Sequence, residues 1–152
     1  MKVTTSQLIG NKEEVIWPLL THSEMTSQGC FCLGVPKPMA CELPNSIGGV
    51  GAERRCISDR GTVLQRILEW QPPSKLRFTM ESTDHCWGPC IDSIEEEFSL
   101  RKTTEGTTVT RTTRFVAKGW LRPIKEIMFW VGLKRVHLFV FKNWKQQCEQ
   151  DR

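Results

Sequence analysis

The stretch that decides the fold runs Ile94-Glu95-Glu96-Glu97-Phe98-Ser99-Leu100-Arg101 and, after Thr104-Glu105-Gly106, returns as Thr107-Thr108-Val109-Thr110-Arg111-Thr112-Thr113-Arg114-Phe115. Both halves are rich in β-branched and aromatic residues, alternate in polarity and flank a glycine-containing turn, the pattern of a β-hairpin. A turn near Thr104-Glu105 places Leu100 opposite Val109, Phe98 opposite Arg111, Glu96 opposite Thr113 and Ile94 opposite Phe115. One face of the hairpin is then largely apolar. The other carries Ser93, Glu95, Glu97, Ser99, Arg101, Thr108, Thr110, Thr112 and Arg114, the composition of a wetted surface.

Working upstream, further strand-like runs occupy about 50–58, 62–70 and 75–82, separated by Asp59-Arg60-Gly61 and Pro72-Pro73, and the hairpin strands themselves cover about 91–102 and 107–117. Consecutive strands joined by short turns imply an antiparallel meander. At the N-terminus, residues 3–9 read as a strand. Gly10-Asn11 supplies a turn and a helix cap, and Val15, Ile16, Leu19 and Leu20 recur at helical spacing behind Glu13 and Glu14, with Pro18 expected to kink or shorten the helix. Residues 21–49 show no sustained period and hold several glycines and prolines. They read as a long lid or rim, with a short helix around His22 to Ser27 relieving part of its length.

Downstream, Gly119 and Pro123 punctuate the exit, and 121 to about 148 reads as one long helix. Phe129, Leu133, Val136, Val140 and Trp144 form one apolar stripe. Ile124, Ile127, Val131 and Leu138 form a second, leaving Lys134, Arg135, Lys142 and Lys145 on a narrower polar side. A helix apolar over so much of its girth needs partners on more than one flank, and a curved sheet of about six strands provides them. The expected class is therefore α+β, in a single domain over 1–152.

The inward face of the hairpin includes Glu96 and Arg111, diagonal neighbours within reach of each other. Charges buried there must be paired. The placement reflects a different register, a sheet-edge position or a structural ion pair, or else it is a polar anchor for the head group of a ligand in an otherwise apolar cavity. On this reading the cavity residues are Glu96, Phe98, Arg111, Thr113 and Phe115 from the sheet and Ile127, Val131 and His137 from the helix. His137 is either a satisfied histidine or, if it opens to the cavity, an acid or base.

Composition narrows the alternatives. The chain has 152 residues, 39% hydrophobic and 25% charged, which is globular rather than disordered. Its 21 basic against 17 acidic residues give +4, spread along the chain without a basic run, so a nucleic-acid footprint is not expected. Met1-Lys2-Val3-Thr4-Thr5-Ser6 lacks the apolar segment of a secretory leader, and the apolar stretch Ile127 to Phe141 is interrupted by charge. A cytoplasmic protein without stable membrane insertion is the expectation, with its seven cysteines (30, 32, 41, 56, 86, 90 and 148) as reduced thiols. Cys30, Cys32, Cys41, His85, Cys86 and Cys90 have poor spacing for zinc, so no metal is expected. Cys86 and His85 are adjacent in sequence, which normally points such side chains apart. Trp87 and Trp120 flank loops and are candidates to roof the cavity. No phosphate-binding or dinucleotide motif is present, and no cofactor is expected.

The order of these pieces resembles the SRPBCC superfamily, the helix-grip fold of START lipid-transfer domains, birch-pollen-allergen-like proteins and polyketide cyclases. The resemblance rests on Glu14-Val15-Ile16-Trp17 after the first strand, on Gly51 with Arg54 and Arg55, and on Arg66-Ile67-Leu68-Glu69-Trp70-Gln71-Pro72-Pro73 followed by Lys75-Leu76-Arg77-Phe78. The closing amphipathic helix matches too. It implies a hydrophobic cavity between sheet and helix. Members bind lipids, plant hormones or polyketides, some cyclise or dehydrate polyketides, and some bind partner proteins, with no universal catalytic residue. Three functions are therefore carried forward: binding of a small hydrophobic molecule, cyclase/dehydratase-type acid–base catalysis without a cofactor, and protein interaction. Oligomeric state is not legible.

Overall fold

The computed structural model describes residues 1–26, 35 and 37–150. In chain order the elements are β1 (Lys2–Ile9), α1 (Glu13–Thr21), β2 (Ser23–Glu24), β3 (Pro38–Glu42), β4 (Glu53–Ser58), β5 (Gly61–Gln71), β6 (Lys75–Thr83), β7 (Ile91–Thr103), β8 (Gly106–Ala117) and α2 (Arg122–Gln150). A 3₁₀ turn, Gly88–Cys90, precedes β7. The eight strands form one antiparallel sheet in the order β1-β8-β7-β6-β5-β4-β3-β2, and α2 packs against β1 and β8. This is the α+β architecture expected, a curled sheet about a long C-terminal helix, with eight strands rather than about six.

The β7–β8 hairpin has the register its alternation dictates: Leu100 pairs with Val109, Phe98 with Arg111, Glu96 with Thr113 and Ile94 with Phe115. Gly106 makes the return possible. Its φ of 143° suits glycine, and a Cβ there would collide with the carbonyl oxygen of Ile9. Along β8 every second residue from Thr107 to Ala117 is buried, so β-branched and aromatic side chains feed the core while Thr108, Thr110, Thr112 and Arg114 do not. Between β5 and β6 the Trp70-x-Pro-Pro corner makes the turn, with the Pro72-Pro73 bond cis.

The two additional strands fall within 21–49. Ser23–Glu24 pairs with β3, and β3 with β4, so a segment without period is recruited to the edge of the sheet. The helix expected around His22 to Ser27 is absent over 22–26, where strand β2 stands instead, and Ser27 lies outside the described residues. Cys41 faces Cys56 across the β3–β4 ladder with Cα atoms 4.2 Å apart, and the two form a disulfide. The expectation of reduced thiols is thus overturned for this pair. Cysteine counting could not see that the ladder brings residues 15 apart face to face. Cys30 and Cys32 lie outside the described residues.

α1 keeps Glu13 and Glu14 in its first turn and carries Pro18 inside without ending there. Asn11 does not cap it. Its Oδ1 accepts from the Lys12 amide, while its Nδ2 donates to the Cys148 carbonyl, tying the β1–α1 corner to the end of α2. Gln147 Nε2 donates to the Glu24 carbonyl from the same end of the helix. At the other end Glu126 accepts from Arg122 at 2.8 Å and from the Ala117 amide at 3.4 Å.

The first stripe of α2 is the buried one: Leu133, Val136, Val140 and Trp144 join Phe98 and Leu100 in or beside the core. The second stripe is not covered as expected. Ile124, Ile127 and Leu138 are 58%, 60% and 51% exposed, and Val131 is half-buried. The sheet curls around one side of the helix and meets it along β1 and β8, so this flank has no partner among the described residues. No helix among the described residues is long and apolar enough to cross a membrane.

Candidate ligand cavity

The sheet bends away from α2 on the side opposite β1, and a gap opens between them. Its volume is about 100 Å³, several times the roughly 10–15 Å³ that admits one water. From the helix side Leu133, Val136, Val140 and Trp144 line it. From β7 and β8 come Ile94, Glu96, Phe98 and Arg111. Val63, Met80, Arg54 and the Cys41–Cys56 disulfide close the far wall. Met25, Val35 and Trp87 stand at the rim.

The strand alternation positions the polar corner. Glu96 and Phe98 are two apart on β7 and so share its inner face, while Arg111 sits opposite Phe98 on β8. Arg111 Nε donates to Glu96 Oε2 at 2.9 Å and Nη2 to Oε1 at 2.8 Å, a two-pronged pair with both residues buried. The guanidinium carbon also lies 5.2 Å from the centre of the Phe98 ring. Phe98 in turn packs on Phe78 and Trp144, at 6.1 and 5.5 Å between ring centres. A rigid aromatic floor thus meets a fixed ion pair.

Arg54 is the residue the sequence reading missed. It is 3% exposed and lies over the Phe78 ring at 4.5 Å. Its Nε donates to the Leu20 carbonyl at 2.8 Å and its Nη1 to Gln65 Oε1. Burial, partly offset by Glu96 and reinforced by Arg111, lowers its pKa to about 10, so it is charged at neutral pH. A signal was available. Arg54 and Arg55 are consecutive in a strand, and consecutive residues point to opposite faces, so one of the two had to point inward.

The remaining expected site residues divide. Thr113 and Phe115 are fully buried but lie outside the cavity, Thr113 against His137 and Phe115 against Phe129 and Val3. Ile127 is exposed and Val131 half-buried, and neither lines the cavity. His137 does not open to it. Its Nε2 is 2.8 Å from Thr113 Oγ1 and its Nδ1 3.1 Å from Thr5 Oγ1, and desolvation, with Arg111 and Lys134 nearby, holds it neutral with a pKa of about 2. The helix turns this residue toward β1 and β8, where the threonines of two paired strands clasp both ring nitrogens. Of the two candidate roofing residues, Trp87 lines the cavity and Trp120 is 90% exposed.

Cys86 Sγ and His85 Nδ1 are 3.7 Å apart, closer than adjacency in sequence implied. Nδ1 also receives the Trp87 amide at 3.3 Å, and neither residue lines the cavity. No group of three or more His, Cys, Asp or Glu is arranged to hold a metal ion among the described residues.

No protein-family model matches the sequence, and comparison with curated proteins finds no match. Solved structures do resemble it. A protein of Mesorhizobium loti superposes with a TM-score of 0.70 at 18% identity, covering 100% of this chain and 99% of its own. The Zhui aromatase/cyclase from Streptomyces gives 0.69 at 15% identity, over 99% and 94% of the two chains. A START superfamily protein from Mycobacterium smegmatis gives 0.65 at 10% identity, over 99% of each. These likenesses extend from end to end. With the sheet order and the long closing helix, they establish that the chain has the helix-grip fold that these proteins share.

Proposed function

We propose that the chain binds a compact apolar molecule in the cavity between α2 and the sheet. The observation that carries this reading is the unfilled space itself. A core of this size ordinarily packs without voids larger than a water, yet here Phe98, Leu133, Val136, Val140 and Trp144 surround an opening that ends in fixed charges. Apolar walls with a few convergent polar groups are the usual form of a small-molecule site. Binding is driven by removing apolar surface of ligand and wall from water. The volume of about 100 Å³ limits the guest to about one ring, since an engineered cavity of about 150 Å³ takes benzene. Structural neighbours that include a START superfamily protein and an aromatase/cyclase lend support to the same reading.

The acid–base alternative draws less support. Glu96 is held by Arg111, and His137 has both ring nitrogens engaged away from the cavity. Native mass spectrometry of the protein purified without denaturation is expected to reveal a copurifying small molecule. Val140→Phe, which fills the space from the helix side, should abolish that adduct while the circular dichroism of the parent is kept. An adduct of equal occupancy in the filled variant would place the ligand elsewhere and overturn the assignment.

A further inference from the structure

The ligand-binding reading says that something apolar enters the cavity; the charges on its wall say more about what, and this inference rests on that reading. The wall carries two guanidiniums, Arg54 and Arg111, against a single carboxylate, Glu96. Arg111 takes both oxygens of Glu96. Arg54 therefore forms no ion pair of its own among the described residues: Glu96 acts on it only through space, and its donors are met by the Leu20 carbonyl, Gln65 Oε1 and Cys56 Sγ, all neutral. A buried cation without a counter-charge is costly unless something supplies one.

A second observation is independent of the charge. Three buried groups lining the same cavity have no hydrogen-bond partner among the described residues: Trp144 Nε1, Trp87 Nε1 and Ser23 Oγ. An indole N–H can only donate, and a hydroxyl can donate as well as accept. Orphaned buried donors are rare in folded proteins and call for an acceptor. All three can be met by an acceptor oxygen, and the two indoles by nothing else. The cavity lacks negative charge and it lacks acceptor oxygens.

We propose that the cavity selects small apolar acids, with Arg54 receiving the carboxylate and the unpartnered N–H and O–H groups of Trp144, Trp87 and Ser23 donating to the ligand's oxygens. Arg111, which the inward face of the hairpin had suggested as the anchor, is neutralised internally by Glu96. It buttresses the corner. Arg54 reads the charge.

The test uses two probes with the same single ring, benzoate and benzamide, titrated into the full chain at pH 7 by calorimetry. The acid should bind at least about tenfold more tightly than the amide, as a charge-assisted contact in a desolvated site exceeds a neutral one. Gln65→Glu then sets a carboxylate beside Arg54 without removing it, and the preference should fall to within about threefold. Arg54→Gln should lose it likewise. Should that variant fail to fold, Gln65→Glu decides alone, because it adds an ion-pair partner rather than deleting a buried group. Equal affinity for acid and amide in the parent, or an undiminished preference in Gln65→Glu, overturns the charge selection while leaving the binding reading intact. If neither probe binds, both fall together.

Discussion

Glu96 and Arg111 illustrate how a buried pair constrains single residues. Each is about 90% removed from solvent, and each meets the other through three contacts below 3 Å. Their attraction offsets the loss of hydration, so removing one partner exposes the whole desolvation cost of the other. Glu96→Gln should therefore cost about 3–5 kcal/mol, because it leaves the Arg111 charge buried beside Arg54. Replacing both, as Glu96→Gln with Arg111→Met, should cost less than Glu96→Gln alone, since the orphaned charge is gone. Urea denaturation of the three proteins reads this directly. Losses that simply add would mean that the two side chains do not depend on each other. The same residues show what a sequence can disclose. Strand alternation is enough to place Glu96 and Arg111 on one inner face, and the hairpin turn fixes their register. That Arg111 is spoken for and Arg54 is not depends on Gln65 and Leu20, whose positions beside Arg54 come from the β4–β5 pairing and the end of α1.

Among the elements, α2 shows where periodicity stops being informative. Its two apolar stripes look alike in one dimension, and amphipathic spacing cannot say which of them the sheet will cover. In the fold, Phe141 and Trp144 are buried to within 1% while Ile127 is 60% exposed. Trp144→Ala should thus lose about 3–5 kcal/mol through a new void, whereas Ile127→Ser should change stability by less than about 0.5 kcal/mol. Thermal unfolding of the two variants distinguishes the stripes, and comparable losses would show that the second stripe is covered in solution. The segment 21–49 was opaque for a different reason. β2 and β3 have two and five residues, too few for alternation to register, and they are strands only because β4 offers an edge and Cys56 a partner for Cys41. Long-range pairing made them, so local reading could not. The hairpins from β4 to β8, by contrast, are each joined to a neighbour in sequence, and their turns were visible as Asp59-Arg60-Gly61, Pro72-Pro73 and Glu105-Gly106.

At the scale of the molecule, β1 and β8, joined as neighbours although they stand at opposite ends of the sheet's sequence order, are clamped to α2 through one imidazole. His137 is fully buried between Thr5 of β1 and Thr113 of β8, so proton uptake there would set a charge where no water solvates it. Its pKa is depressed from 6.5 to about 2 by desolvation first and by Arg111 and Lys134 after it. Because the folded form resists a proton that the unfolded chain accepts, stability is complete above about pH 6.5 and declines as the pH falls below it. Between pH 7 and pH 5 this group alone should remove about 2 kcal/mol, with His85, whose pKa burial also lowers, acting in the same direction. His137→Gln is expected to be less stable than the parent at pH 7, since it disturbs the clasp, but its stability should depend less steeply on pH over that interval. Urea denaturation at a series of pH values from 5 to 7 separates the two effects. A variant that kept the parent's slope would show that His137 takes up its proton as readily folded as unfolded, and the clamp between helix and sheet would then have to reside in the apolar contacts of Leu133, Val3 and Phe115 instead.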